Sequence, residues 1–270
     1  MNHERFNNTL LMNKNRRWQK RKASMISKSS PSKGSLIVVG TGIKYKSHMT
    51  FEALEAIKKA EKLFYLLSDI MSEKWLQEMN PSGESLQYDK DRPRRETYEN
   101  WVELLLSSVR QGQHTCLAVY GHPGVLAYCS KKAIPIARSE GYEAVMLPGI
   151  SAEACLLCDL HVDPGEGGLQ SYKASEFLHR KPVFDTRSHL VLWDVAFVDY
   201  SFLPTQIYRE GLKRLSEYLI QKYGTEHEVV VYEASRNPAL GPIILSVPLK
   251  DLAKARFGGR TMLYVPLLKN

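Results

Sequence analysis

From Ser35 onward, short apolar segments alternate with amphipathic ones, and this alternation constrains the fold more than any other feature of the chain. The first apolar segment, Leu36–Val39, runs directly into a G-T-G turn. Thr50 has the residue type of a helix N-cap, and acidic residues follow it in the first turns of an amphipathic segment. Strands that alternate with helices in this way predict βαβ units, and therefore a mostly parallel sheet covered by helices.

The alternation continues to about residue 159 and then changes character. Up to that point it predicts strands at 63–67, 86–88, 116–120 and 145–147, and helices at 72–79, 96–109, 130–140 and 151–160. Beyond a breaker cluster at 163–168 the candidate strands lie closer together, at 190–193, 229–232, 243–247 and 262–265, with one helix at 209–222. We expect an α/β protein of three parts: a basic disordered extension over 1–34, an N-terminal α/β domain with a parallel sheet over 35–158, and a C-terminal α/β domain with more antiparallel strands over 159–270.

The net charge of +8 is concentrated at one end of the chain. The first 34 residues hold nine of the 37 basic residues and one of the 29 acidic ones, so the rest of the chain carries 28 of each. A neutral body lacks the basic surface that contacts a phosphate backbone, which argues against nucleic acid as a partner. No apolar run approaches the ~18 residues that span a bilayer, so we expect no membrane segment. For the basic end we favour an unstructured extension over a transit peptide or a contact with an anionic surface.

Four cysteines in 270 residues do not make a disulfide framework. Cys155 and Cys158 form a C-x-x-C pair, a spacing that is compatible with redox or zinc chemistry. Cys116 and Cys129 do not supply a second pair with zinc-site spacing, and the C-x-x-C lies in an apolar helical segment. We therefore favour buried free thiols, no metal and a reducing cytoplasm.

Three predicted strands end in glycine-bearing turns. These turns read G-T-G at 40–42, Y-G-H-P-G-V at 120–125 and P-G-I-S-A-E at 148–153. Open α/β sheets bind ligands at the carboxyl ends of their strands, where glycine lets a ligand approach the backbone closely. Each turn also has a purely structural interpretation. The first is a tight turn, since it lacks the third glycine of a dinucleotide fingerprint. The second is a rigid turn, and in the third Ser151 caps a helix. Together they favour a ligand site at this edge of the sheet.

Arg94 and Tyr98 are four residues apart near the start of a predicted helix, so their side chains share one face. Trp101 and Leu105 continue that face, which is also what an ordinary amphipathic helix requires. The strand-like segment before the helix brings a further tyrosine, Tyr88, to the same region.

These motifs, in this order, resemble the tetrapyrrole-methylase superfamily of S-adenosylmethionine-dependent enzymes. More narrowly, the chain is similar to the borosin peptide α-N-methyltransferases, which methylate backbone amides of a ribosomal peptide. The narrower marks are R-R-E-T-Y at 94–98, I-A-R-S-E-G-Y at 136–142, D-P-G-E-G-G-L-Q-S-Y-K-A-S-E-F at 163–177, S-H-L-V-L-W at 188–193 and V-V-V-Y-E-A at 229–234. The resemblance covers about 35–268 and implies a two-domain tetrapyrrole-methylase-like fold, with S-adenosylmethionine in the cleft between the domains, S-adenosylhomocysteine as product and no metal.

The resemblance also implies site residues. The implied catalytic residues are Tyr88, Arg94, Tyr98 and Tyr120. The implied cofactor contacts are Gly40, Gly42, Tyr120, His122, Pro123, Gly124, Val125, Ser151, Ala152, Asp194, Tyr232, Ala234 and Thr261. Asp194 departs from the family pattern, which has Gln there, so the kind of contact it makes is open, although a carboxylate can meet the ammonium group of the cofactor.

The chemistry implied by the resemblance fits these residue types. A peptide N–H is a very weak acid, so its nitrogen must gain imidate character before it attacks a methyl group. Tyrosine has a free pKa of about 10, and a neighbouring Arg favours its phenolate. We expect Tyr98 to act as base, with Tyr88 assisting, and Arg94 to hold the charge that develops on the amide oxygen.

The resemblance bears on partners as well. Fused borosin enzymes carry their substrate as a C-terminal extension, whereas here the last predicted strand ends near Pro266. We therefore expect the split arrangement, in which the precursor peptide is a separate chain, and a homodimer that binds two precursors as a heterotetramer. Two alternatives are a C-methyltransferase acting on a corrin or porphyrin, which does not need Arg94 and Tyr98, and a non-catalytic nucleotide- or peptide-binding module, which binds cofactor without turnover.

Overall fold

The first half of the chain forms a sheet that is parallel throughout, as the alternation predicts. A computed structural model describes residues 33–88, 93–199 and 208–269. The five strands of this sheet follow the order β3-β2-β4-β1-β5. The strands are β1 Ser35–Gly40, β2 Lys62–Leu66, β3 Glu84–Ser85, β4 His114–Val119 and β5 Glu143–Leu147. The connecting helices are α1 Phe51–Lys59, α2 Ile70–Met79, α3 Arg94–Arg110, α4 Tyr128–Ser139 and α5 Ala152–Asp159.

The second half forms another five-stranded sheet, in the order β6-β7-β10-β8-β9. Only β6 and β7 pair in parallel, and the other pairings are antiparallel, so this sheet differs from the first in character. The strands are β6 Leu169–Lys173, β7 His189–Trp193, β8 Glu228–Glu233, β9 Ile243–Pro248 and β10 Met262–Val265. The helices are α6 Ala174–Arg180 and α7 Arg209–Tyr223, with 3-10 turns at Val195–Phe197 and Leu249–Lys254.

The central strands of the first sheet are buried because helices cover both faces. β1 lies between β4 and β5, with Gly40 beside Val119 at the end of its ladder with β4. Thr50 caps α1 by accepting a hydrogen bond from the Ala53 backbone N–H, as the sequence predicts. The carboxyl ends of these strands therefore lie on one edge, and the loops that follow them begin there.

The structure differs from the sequence prediction at three elements. The predicted strand at 86–88 is wrong, because β3 covers Glu84–Ser85 and ends before it. β6 was not predicted, since its residues are half-buried or exposed and several are polar, which gives no alternating apolar pattern. α6 was not predicted either, because its seven residues are too few for a periodic signal.

The two sheets fall on either side of the predicted domain boundary, and the boundary itself stays a prediction. Residues from 34 onward form one compact unit. Residues 1–32 of the predicted extension lie outside the described residues. Within the described ranges, no helix combines the length and the apolar character needed to cross a membrane.

Candidate functional site

The three glycine turns meet at the carboxyl edge of the first sheet. A Cβ atom added at Gly40 would lie 2.4 Å from the Gly121 oxygen and 2.8 Å from the Gly149 Cα. A Cβ atom added at Gly149 would lie 2.5 Å from the same Gly121 oxygen. The backbones touch because these positions have no side chain. The structure thus brings the turns together as expected, while their binding of a ligand stays a prediction.

Gly42 and Gly121 join the first two turns by a pair of backbone hydrogen bonds. The Gly42 N–H donates to the Gly121 oxygen at 3.2 Å, and the Gly121 N–H donates to the Gly42 oxygen at 2.9 Å. Both residues have left-handed backbone, with φ of 71° and 74°, which glycine adopts without steric cost. Any side chain at either position would strain the contact between the turns.

The second turn is fixed by its own histidine and proline. The Gly124 N–H donates to His122 Nδ1 at 2.9 Å, and the Val125 N–H donates to the His122 oxygen at 3.0 Å. Pro123 packs on the first turn, since a Cβ at Gly40 would lie 2.8 Å from its Cδ. His122 therefore has a structural role in the turn, which was one of the two interpretations of this motif.

An apolar cluster connects this edge to the second sheet. It contains Tyr120 and Ala152 from the turns of the first sheet, and Tyr232 and Ala234 from β8 and its end. The Tyr232 hydroxyl donates to Asp159 Oδ2 at 2.6 Å, which links β8 to the end of α5. Four of the implied cofactor contacts therefore lie in one cluster between the sheets.

Three further implied contacts lie at the ends of neighbouring elements. Ser151 caps α5 by accepting a hydrogen bond from the Ala154 N–H at 3.0 Å, the structural interpretation of that motif. Asp194 has left-handed backbone, with φ of 58°, and its carboxylate lies 4.0 Å from the Lys173 ammonium. Thr261 is buried beside Asp194: the Thr261 carbonyl oxygen accepts a hydrogen bond from the backbone N–H of Val195, the next residue after Asp194.

Tyr88, Arg94 and Tyr98 lie together at the start of α3. The rings of Tyr88 and Tyr98 are 6.0 Å apart, and each also contacts Trp101, at 4.8 and 5.4 Å. Burial raises the pKa of Tyr88, hydrogen bonding to Tyr98 raises it further, and the Arg94 guanidinium lowers it. The three residues that the resemblance implies as catalytic are thus within interaction distance of one another.

Arg94 carries an unused hydrogen-bond donor in this group. Its Nε is buried and has no hydrogen-bond partner among the described residues, which exclude 89–92. A buried donor without a partner costs free energy, so it is favoured to bind an acceptor that enters the site.

Tyr120 lies apart from this group, among cations of the second half. Burial raises the pKa of Tyr120 to about 12, against a lowering effect of Arg260 and Arg236. Both guanidinium groups donate to the Ser68 carbonyl oxygen, from Arg236 Nη1 at 3.3 Å and from Arg260 Nη2 at 3.2 Å. They join the end of β2 to the second sheet beside Tyr120.

Two residues beside the predicted site residues carry no signal in the sequence. The Tyr128 ring is stacked on Tyr98, with centroids 5.6 Å apart, and its hydroxyl donates to Glu99. His48 lies against Gly42, and its Nδ1 accepts hydrogen bonds from the backbone N–H groups of Ile43 and Lys44. No motif marks either residue: the Tyr98–Tyr128 contact joins segments that are 30 positions apart in sequence, and His48 lies in an irregular loop that has no periodic pattern.

The cysteines and metal-ligand residues give no sign of a metal site in the described ranges. All four cysteines are free, and burial raises the pKa of Cys116 to about 12. No group of three or more His, Cys, Asp or Glu side chains among these residues is arranged to hold a metal ion.

The chain matches a protein family and has similar curated relatives. The family model for tetrapyrrole (corrin/porphyrin) methylases matches residues 35–237. A methyltransferase/ribosomally synthesized cyclic peptide gymnopeptides precursor from Gymnopus fusipes is 38% identical over 90% of this chain and 59% of that protein. The corresponding omphalotin A precursor from Omphalotus olearius is 40% identical over 86% of this chain and 58% of that protein. The chain thus spans less than two thirds of the length of these relatives.

Solved structures show the same fold at low sequence identity. Uroporphyrin-III-C-methyltransferase from Thermus thermophilus has a TM-score of 0.63 and 17% identity, over 87% of this chain and 92% of that one. Diphthine synthase has a TM-score of 0.60 and 17% identity, over 86% and 90%. These likenesses confirm the expected α/β fold. Together with the match over 35–237, they show that the chain belongs to the tetrapyrrole (corrin/porphyrin) methylase family.

Proposed function

We propose that this chain is an S-adenosylmethionine-dependent methyltransferase that methylates backbone amide nitrogens of a peptide. The observation that carries the proposal is the group of Tyr88, Arg94 and Tyr98, in which a buried guanidinium nitrogen without a partner in the described ranges lies near two phenols. The names of the curated relatives, which combine a methyltransferase with a ribosomal peptide precursor, support the same class of substrate.

The carboxyl edge of the first sheet, the apolar cluster and Asp194 offer the kinds of group that bind S-adenosylmethionine. The ligand needs accessible backbone for its polar groups, an apolar surface for its ring and an anion for its ammonium group. In the glycine turns, the exposed Gly124 and the half-buried Gly149 supply the first, Ala152 and Ala234 supply the second, and the half-exposed Asp194 carboxylate supplies the third. Bound there, S-adenosylmethionine would supply an electrophilic methyl group: the nitrogen–carbon bond would form as the sulfur–carbon bond breaks, with S-adenosylhomocysteine as the leaving group.

Arg94 would activate the amide. A peptide nitrogen is a weak nucleophile because its lone pair is delocalised into the carbonyl group. It becomes reactive when it loses its proton and the negative charge moves onto the oxygen. The buried Nε–H of Arg94 is suited to hold that oxygen, since a fixed cationic donor in a dry site stabilises a developing anion.

Tyr98 would accept the amide proton, and Tyr88 would assist. Because burial raises the pKa of Tyr88, this residue stays a phenol and can donate to the Tyr98 oxygen. That donation would stabilise the negative charge that the Tyr98 oxygen carries when it acts as the base. The amide N–H bond then breaks, its proton passes to the Tyr98 oxygen, and its electron pair stays on the amide.

The peptide substrate can be part of the same chain as the methyltransferase or a separate chain. The relatives carry methyltransferase and precursor in one chain, which does not support the expected separate precursor. We keep the separate chain as a prediction, and we likewise keep the homodimer, the heterotetramer and the cytoplasmic location.

The test is methylation by the purified protein and by Tyr98→Phe and Arg94→Lys. Substrates are the peptide encoded by the neighbouring gene, a set of capped apolar peptides, and a porphyrinogen for the alternative reaction. We expect methyl groups on peptide backbone nitrogens, located by tandem mass spectrometry. Tyr98→Phe removes one hydroxyl and should lower single-turnover rates by ~10²-fold or more. Arg94→Lys keeps the charge but loses the planar fork, and should be impaired as well.

Melting curves separate catalysis from packing. If Tyr98 only packs on α3, Tyr98→Phe lowers stability and leaves the turnover of folded protein intact, which contradicts its role as base. Methylation of the porphyrinogen but of no peptide would contradict the proposed substrate class.

A further inference from the structure

His48 packs directly on the first glycine turn. A Cβ atom at Gly42 would lie 2.2 Å from His48 Cβ and 2.7 Å from the His48 oxygen. The contact is therefore possible only because Gly42 has no side chain. His48 lies in the loop between β1 and α1, outside every motif that the sequence analysis identified.

The His48 imidazole also holds the backbone that follows Gly42. Its Nδ1 accepts the N–H of Ile43 at 3.3 Å and the N–H of Lys44 at 3.2 Å. Both partners are donors, so Nδ1 must be unprotonated and the ring must be neutral, with its proton on Nε2. A protonated Nδ1 would place a third N–H against these two and would lose both hydrogen bonds.

The turn held by His48 is the one that meets the second turn. Gly42 pairs with Gly121 by two backbone hydrogen bonds, and Ile43 packs in the apolar cluster between the sheets. A change at His48 therefore reaches Gly42, then Gly121, through consecutive backbone contacts. This is the path by which a residue outside the turns can set their shape.

The charges around His48 favour the neutral ring. Burial lowers the pKa of His48, and the ammonium group of Lys44 lowers it further. The Asp159 carboxylate of α5 acts in the opposite direction, although it already accepts a hydrogen bond from the Tyr232 hydroxyl.

We propose that His48 is a positioning residue whose neutral imidazole holds the Gly40–Lys44 turn in the shape that binds the cofactor, and that its protonation releases this turn. The identity of the cofactor rests on the function proposed above. The contact between His48 and the turn does not depend on that function.

The sign of the pH dependence follows from the lowered pKa. His48 binds a proton more weakly in the folded protein than in the unfolded chain, where its pKa is 6.5. Its contribution to the order of the turn is therefore fully present above about pH 6.5 and is lost as the pH falls through the lower folded value. Affinity for S-adenosylhomocysteine should weaken over the same range.

The experiment measures the Kd of S-adenosylhomocysteine by calorimetry between about pH 8 and about pH 5.5, on either side of the free imidazole pKa. His48→Ala should weaken binding about tenfold or more at about pH 8, because two backbone donors lose their acceptor, and the difference from the natural protein should shrink in acid. His48→Asn places a non-titrating carbonyl oxygen near the Nδ1 position, so it should recover most of that loss and weaken less in acid than the natural protein. The matched control is His161→Asn, an exposed histidine with left-handed backbone that Asn tolerates.

A second readout needs no ligand. Amide hydrogen exchange of the segment 40–49 should be faster in His48→Ala than in His48→Asn, and it should lose protection in acid only where His48 is present. If acid speeds exchange equally in His48→Asn and in the natural protein, the proposal is overturned. The pH dependence would then come from another group, such as His122, which also accepts a backbone N–H. If the natural protein does not bind S-adenosylhomocysteine, the proposed function fails, and exchange still decides the role of His48.

Discussion

At the scale of single residues, Tyr128 fixes the position of Tyr98. The two rings are stacked with an interplanar angle of 24°, and the Tyr128 hydroxyl is hydrogen bonded to Glu99, the neighbour of Tyr98 on α3. This hydrogen bond, more than burial, raises the pKa of Tyr128, so that it stays a phenol and the contact persists at neutral pH. Tyr98 is thus held from one side by a ring that is itself anchored.

We predict that Tyr128→Phe lowers turnover by about tenfold, because a catalytic group that shifts slightly loses much of its effect. The ring remains to stack on Tyr98, so the melting temperature should change little. Single-turnover methylation and a melting curve measure the two effects. Tyr218→Phe is the control, since Tyr218 packs on Phe177 in the core of the second half. Equal turnover in the two variants would show that the hydroxyl of Tyr128 has no positioning role.

The extent to which these residues were predictable depends on sequence distance. Arg94 and Tyr98 share a helix face by their spacing, and the structure brings Tyr88 to them. Tyr128 reaches Tyr98 through a contact between α4 and α3, which no spacing within one element encodes. His48 contacts residues four to six positions before it in one irregular loop, where neither helix nor strand periodicity applies. Ser151 shows the reverse: its residue type predicts a helix cap, and the structure shows that cap.

At the scale of elements, the site depends on how closely β1, β4 and β5 bring their ends together. The strand types were predictable, because buried parallel strands read as apolar runs followed by breakers. The order β3-β2-β4-β1-β5 was not, since periodicity carries no information about which strands are neighbours. The edge strand β6 also escaped prediction, because its L-Q-S-Y-K sequence has no apolar run, whereas the other edge strand, β9, begins with I-I-L.

We predict that Gly149→Ala destabilises the first sheet at this edge. The added methyl group would lie 2.5 Å from the Gly121 oxygen and 2.7 Å from the Gly40 Cα, so the backbone must move. Overpacking of this kind costs about 1–3 kcal/mol of the free energy of unfolding. Denaturant unfolding measures it. Gly241→Ala is the control, since no atom lies within 4 Å of the added Cβ. Similar losses in both variants would mean that the close contact of the turns does not limit stability.

At the scale of the whole molecule, the body should fold without residues 1–32. Described contacts at the start of β1 are internal to the body: Gly34 lies against the Val109 carbonyl group, and the Ser35 N–H donates to the Gln113 oxygen. The extension holds most of the net positive charge and none of the motifs. We predict that a chain beginning at Lys33 keeps its melting temperature and its gain in stability on adding S-adenosylhomocysteine. Loss of either would show that the extension is part of the fold or the site.

At the same scale, a mass measurement distinguishes a peptide substrate in the same chain from one in a separate chain. The described end of this chain is held on the body: the Leu268 N–H donates to the Thr186 oxygen at 2.8 Å, and Leu267 lies against Gly167. If the precursor is a separate chain, the purified protein, incubated with S-adenosylmethionine, keeps its own mass, while an added precursor peptide gains the mass of one methylene group for each methyl transferred. Arg94→Lys, incubated with the same peptide, serves as the control for methylation outside the site. Methyl groups found by peptide mapping within this chain would contradict the separate precursor and place the substrate in cis, as the names of the relatives describe.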